Sequence, residues 1–143
     1  MPEYARAYVE QKGSTDVTYD ELCHIAQHQI NQLQGLSANE ESGLSEKRSI
    51  NETVYQPQVV FFDTELIVTK VWFQYAFGRV PEWLEEAIQR YKMDVYLLTA
   101  PDIPWIPDPA RSNGSDAIRR ELFNRYEQEI QALGVPYYII THV

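Results

Sequence analysis

The first residue to weigh for chemistry is Asp63, in "QVVFFDTELIVTK", residues 58–70. Residues 58–63 read as a buried strand, and a carboxylate stands at its end, where a helix-like run begins. In an open α/β sheet, ligands bind outside the carboxyl ends of the strands. An Asp there can hold Mg²⁺, directly or through water, beside a nucleotide's phosphates. The same position also suits a helix N-cap, with Asp63 or Thr64 simply starting the helix that follows.

A second group lies in "PDIPWIPDPARSNGS", where four prolines in nine residues exclude regular helix or sheet. It contains Asp102, Trp105, Asp108 and Arg111. Arginine suits a transferring phosphoryl group, and tryptophan stacks on aromatic rings. The plainer alternative has Trp105 packed over the core and Arg111 paired with a nearby acid. Arg119, Arg120 and Arg125 follow on a helix. They reach phosphates if that helix opens a lid. Otherwise they form a solvated face balancing Glu121, Glu127 and Glu129, the favoured reading for Arg125.

Other polar residues carry weaker signals. His24 and His28 share a helix face at i, i+4, but no HExxH and no third ligand accompany them, so a polar face is expected. Cys23 reads as a half-buried small residue. Glu3 and Arg6, taken alone, indicate only a charged N-terminus.

These residues need a frame. Tyr4, Tyr8 and Val9 share a helical face before Gly13. In "TYDELCHIAQHQINQLQG", Thr18 and Glu21 form a capping box, and Leu22, Ile25, Ala26, Ile30 and Leu33 form an apolar stripe. Gly35 is the expected stop, and residues 37–56 read as a polar surface loop with a helical turn near Glu46. After the strand at 58–63, helices are expected over 65–77 and from Pro81. Residues 94–100 form a second apolar strand. Ser115 or Asp116 caps a helix through Leu133, and "VPYYIITHV" forms a third strand. Alternating apolar strands and helices predict a parallel α/β sheet.

Composition sets limits. A chain of 143 residues with 44% hydrophobic residues is expected to form one domain, residues 1–143. A net charge of −9 repels a phosphate backbone, so nucleic acid is not an expected partner. A small anionic ligand is still compatible, because local arginines override the global sign. One cysteine excludes an intrachain disulfide. No signal-peptide core and no long apolar run are present, so no membrane partner is expected and a cytoplasmic location is.

The stretches "PEYARAY", "YDELCHIAQHQ", "VVFFDTELIVTKVW", "DVYLLTAPDIPWIPDPARS" and "IRRELFNRYEQEIQALGVPYYII" occur in a telling order. Together they resemble the nicotinamide-riboside kinase domain of the NadR type, a P-loop kinase of NAD salvage with AAA-like ATPase relatives. The resemblance covers nearly the whole chain apart from residues 37–56. It implies a three-layer P-loop-kinase-like sheet flanked by helices, with ATP and Mg²⁺ as cofactors and a nucleoside as substrate. Asp63 then matches the Walker B acid that helps place Mg²⁺. Glu3 and Arg6 match the segment near the riboside, with Glu3 orienting or deprotonating its hydroxyl. Asp102, Trp105 and Asp108 match the loop flanking substrate and nucleotide. Arg111 matches an arginine at the entry to the lid, and Arg119 or Arg120 a lid arginine facing phosphates. Family members carry a glycine-containing "DG.R" where this chain has "DPAR".

A larger departure concerns the phosphate loop. G-x-x-x-x-G-K-[ST] uses backbone N–H groups and a lysine to cradle phosphates. None of the six glycines, Gly13, Gly35, Gly43, Gly78, Gly114 and Gly134, is followed by Lys-Ser or Lys-Thr. The resemblance therefore implies a sheet without its first strand and P-loop. Nucleotide binding is doubtful on that account, and the chain is expected to be a truncated or remnant kinase, inactive by itself. The other expectation is a non-catalytic nucleotide-binding or interaction module of the same fold. In this kinase class the first strand lies between those matching 58–63 and 94–100, so an open edge predicts self-association or a rearranged three-stranded sheet.

Overall fold

The helix that begins at the capping box outruns its predicted stop. In the computed structural model, which describes residues 4–13, 16–45, 59–104 and 115–142, α1 spans Tyr4–Lys12 and α2 spans Tyr19–Ser45. Between them Gly13 turns the chain at φ 71°. Thr18 Oγ1 accepts from the Glu21 N–H at 3.3 Å, and the Glu21 carboxylate accepts from the Thr18 N–H at 2.8 Å. Lys12 Nζ donates to that carboxylate at 2.7 Å and ties α1 to the start of α2. The expected stop at Gly35 does not occur. Glycine weakens a helix by about 1 kcal/mol relative to alanine, but ends it only where the backbone turns left-handed. Gly35 stays helical, and Ala38, Glu40 and Glu41 are good helix formers. Residues 37–45 of the expected loop are therefore helix, while residues 46–56 lie outside the described residues.

The stripe Leu22, Ile25, Ala26, Ile30 and Leu33 is buried as expected. It faces α3, Leu66–Phe77, the most enclosed element. Leu66, Ile67, Val71 and Phe73 are each at most 2% exposed. Such burial follows from contacts with α2, α4 (Glu82–Arg90) and α5 (Asp116–Leu133). Tyr19 meets Phe73 and Phe77 edge-on at 5.1 and 5.4 Å, and the Arg79 guanidinium lies 4.2 Å over the Tyr19 ring. Lys70 crosses to both neighbouring helices, with Nζ 2.7 Å from Glu85 and 2.6 Å from Glu129. Helix α3 stops at Gly78, φ 65°, and Pro81 is the N-cap residue of α4.

Strands β1, Tyr96–Thr99, and β2, Tyr137–Ile140, pair in parallel with Leu97 opposite Tyr138. Helix α5 connects them, capped by Ser115 at its start and closed by Gly134 at φ 68°. The strands expected over 94–100 and 135–143 are thus present, in shorter form. The strand expected over 58–63 is not. Residues 59–62 join no ladder, and the sheet among the described residues is two-stranded, not the three-stranded one expected. A run of apolar residues signals a segment suited to burial, but it does not supply a neighbour to bond with. Val59, Val60 and Phe61 accordingly stay exposed. β1 buries Tyr96 and Leu98, while Leu97 on its other side and Tyr138, Ile139 and Ile140 of β2 are exposed. The fold is a mixed α/β arrangement with a small parallel sheet. No described helix is long and apolar enough to cross a membrane.

Phe73→Ala should cost about 3–5 kcal/mol of stability in urea unfolding, because its ring is fully enclosed. Trp83→Ala, on the partly exposed face of α4, should cost about 1 kcal/mol or less. Equal costs would show that the core is not centred on α3.

Candidate functional site

The turn between the extended segment and α3 decides what Asp63 is free to do. Helix α3 starts at Leu66, so the residue directly before it, Glu65, is the N-cap. Its carboxylate accepts from the Ile67 N–H at 2.8 Å. Glutamate is an uncommon cap, which is why the sequence pointed to Asp63 or Thr64 instead. The capping role expected for either of them is corrected by this geometry. Asp63 is exposed, and the hydrogen bond it makes among the described residues is a long one, 3.5 Å from the Thr64 hydroxyl.

Thr64 has φ 64°, in the left-handed region that a β-branched residue rarely adopts. Its carbonyl accepts from Gln29 Nε2 at 3.0 Å, and Gln29 Oε1 accepts from the Thr69 hydroxyl at 2.7 Å. Glu65 is the residue that sequence reasoning missed. Burial pushes its carboxyl up to about 7, against the lowering effect of the Ile67 and Leu66 N–H groups. Burial also pushes the Tyr96 phenol up, and the charge of Glu65 adds to that shift.

The other expected residues separate into three sets. Asp102 Oδ2 accepts from the His142 N–H at 2.7 Å, stapling the loop after β1 to the end of β2. Arg119 Nη1 donates to the Ile103 carbonyl at 2.8 Å and lies 3.4 Å from Asp116, so it holds the same loop. Asp102 and Arg119 thus meet around one corner of the fold. Arg120 is exposed nearby on α5. Arg125 pairs with Glu121 at 2.8 Å, in keeping with the solvated-face reading. Arg6 lies on α1, with its side chain outside the described residues. Glu3, Trp105, Asp108 and Arg111 also lie outside the described residues.

No hydrogen bond or ion pair among the described residues links Asp63 to Asp102 or Arg119. No three His, Cys, Asp or Glu among them come together to hold a metal. Asp63 therefore offers a single carboxylate. Mg²⁺ demands an octahedral shell, and one carboxylate suffices only where phosphates and water complete it. The described residues do not make a metal site by themselves.

The AAA domain family matches residues 1–143. The trifunctional NAD biosynthesis/regulator protein NadR of Escherichia coli (strain K12) is 31% identical over 70 residues, 49% of this chain and 17% of that protein. Its namesake in Salmonella typhimurium (strain LT2) is 30% identical over a stretch of the same extent. The match thus spans about a sixth of the length of these relatives. No solved structure matches the chain.

Two carboxyls should give opposite pH dependences. Glu65 holds its proton more tightly when folded, so its contribution to stability is complete below 4.5 and is lost as pH rises towards about 7. Glu65→Gln should remove that loss, closing the gap between urea midpoints at pH 5 and pH 7.5. Glu21 is drawn down to about 2, first by the hydrogen bond from Lys12 and then by the Thr18 N–H. Its contribution is present above 4.5 and fades as pH falls towards 2. Lys12→Met should lessen that acid sensitivity.

Proposed function

The chain belongs to the AAA domain family over its whole length, and from that premise we propose a phosphotransferase lineage acting on a nucleoside. Nicotinamide riboside is the proposed acceptor, ATP the donor, and NAD salvage the setting. Similarity to NadR over half of the chain supports this reading. The observation that carries it is the exposed Asp63 carboxylate, left free of capping by Glu65 at the end of an apolar segment.

In this reading Asp63 faces the metal on the nucleotide, with phosphate oxygens supplying the rest of the shell. Arg111 and a lid arginine, Arg119 or Arg120, neutralise charge on the transferring group. Glu3 orients the acceptor hydroxyl, and Arg6, Asp102, Trp105 and Asp108 line the substrate side. Catalysis of this kind is positioning and charge neutralisation more than covalent chemistry.

A second reading, a non-catalytic module of the same fold, is favoured by one fact. No G-x-x-x-x-G-K-[ST] occurs in these 143 residues. Translating the DNA upstream of Met1 discriminates the two: an in-frame phosphate-loop motif supports the kinase, and a stop codon with a ribosome-binding site supports the module.

The purified 143-residue chain, given ATP, Mg²⁺ and nicotinamide riboside, should show no measurable phosphate transfer. Clear turnover would overturn the expected inactivity and exclude the non-catalytic reading. Calorimetric titration of ATP–Mg²⁺ into the chain and into Asp63→Ala tests the site. Binding weakened several-fold by the substitution supports the lineage; binding that is unchanged removes Asp63 from the site.

A further inference from the structure

Gln29 on α2 and Thr69 on α3 are buried polar residues in an otherwise apolar core, 6% and 3% exposed. Neither takes part in a cap, an ion pair or an expected site. Burying polar groups is unfavourable unless each finds a partner, and here the partners form a directed chain. The Thr69 hydroxyl donates to Gln29 Oε1 at 2.7 Å, and Gln29 Nε2 donates to the Thr64 carbonyl at 3.0 Å. The chain ends on Thr64, the non-glycine residue with positive φ among those described. Strained backbone of this kind persists where surrounding structure holds it, and it clusters at functional sites.

We infer that Gln29 and Thr69 are positioning residues: they hold Thr64 left-handed through its carbonyl and so set the direction in which the Asp63 carboxylate leaves the turn. The inference rests on the reading of Asp63 as the metal-side carboxylate. A primary amide is suited to this task, because it accepts from Thr69 and donates to Thr64 at once. An apolar side chain of similar length fills the same space but leaves the Thr64 carbonyl without its donor. On the other side of the turn, Glu65 is anchored by the Ile67 N–H. Thr64 is therefore held from α2 and its successor from α3, and relaxing Thr64 to an ordinary φ would break the Gln29 bond and rotate Asp63.

The test uses Gln29→Met and Thr69→Val in the full 143-residue chain, the second being isosteric in case the first fails to fold. The backbone conformation of Thr64 is read from its NMR carbon shifts. Loss of left-handed shifts in Gln29→Met, and a smaller change in Thr69→Val, is expected; left-handed shifts kept in both variants would overturn the inference. Thr64→Gly gives a second readout. It should change the folded-to-unfolded ratio by less than about twofold in the wild type, because relieved strain offsets the added freedom of the unfolded chain. In Gln29→Met, where no strain remains, it should lower that ratio about 3–5-fold. Equal effects in the two backgrounds would also overturn it. Mn²⁺ with ATP, added as a paramagnetic probe so that phosphates complete the metal's shell, should broaden the Asp63 signals in the wild type and less so in Gln29→Met. No broadening in the wild type would sink the metal reading of Asp63, while the Thr64 shifts still decide the positioning role.

Discussion

Enclosure of α3 is the constraint on which the rest of this structure depends. Four of its apolar side chains are almost without solvent contact because three helices surround it. Its polar residues must therefore find partners inside the protein. Lys70 does so by bridging Glu85 and Glu129, which fixes α4 and α5 against the same helix. Its ammonium stays charged because the two carboxylates, Glu129 first, offset the cost of burial. Gln74 donates to Glu129 at 2.7 Å and strengthens the joint with α5. Tyr19 and the aromatic pair Phe73 and Phe77 close the joint with α2.

The same enclosure explains the turn that carries Asp63. Because the start of α3 is buried, its free N–H groups cannot rely on water, and Glu65 satisfies one of them. With Glu65 as the cap, Asp63 stays exposed. Asp102 and Arg119 hold the start of the loop after β1, through the His142 N–H and the Ile103 carbonyl.

Much of this was legible beforehand, for local reasons. The capping box at Thr18, the stripe on α2, the glycine stops at Gly13, Gly78 and Gly134, and the apolar strands β1 and β2 all follow from short-range chemistry. Gly35 was misleading because a glycine marks a helix end only where its φ turns positive, and sequence does not carry φ. Residues 59–62 have the composition of a strand but no ladder, because a strand exists only through its neighbour.

What the sequence determined by itself was therefore the set of segments and the residue types at their ends: periodicity, caps and turns act over three or four residues. Tertiary structure alone decided how those ends are used. It assigned the cap to Glu65 and not to Asp63, because the helix register places Leu66 first. It joined Gln29, Thr69 and Thr64 across gaps of 35 and 40 residues, which no local pattern encodes. It also raised the proton affinity of Glu65, since burial is a property of everything packed around a carboxyl and not of its sequence neighbours.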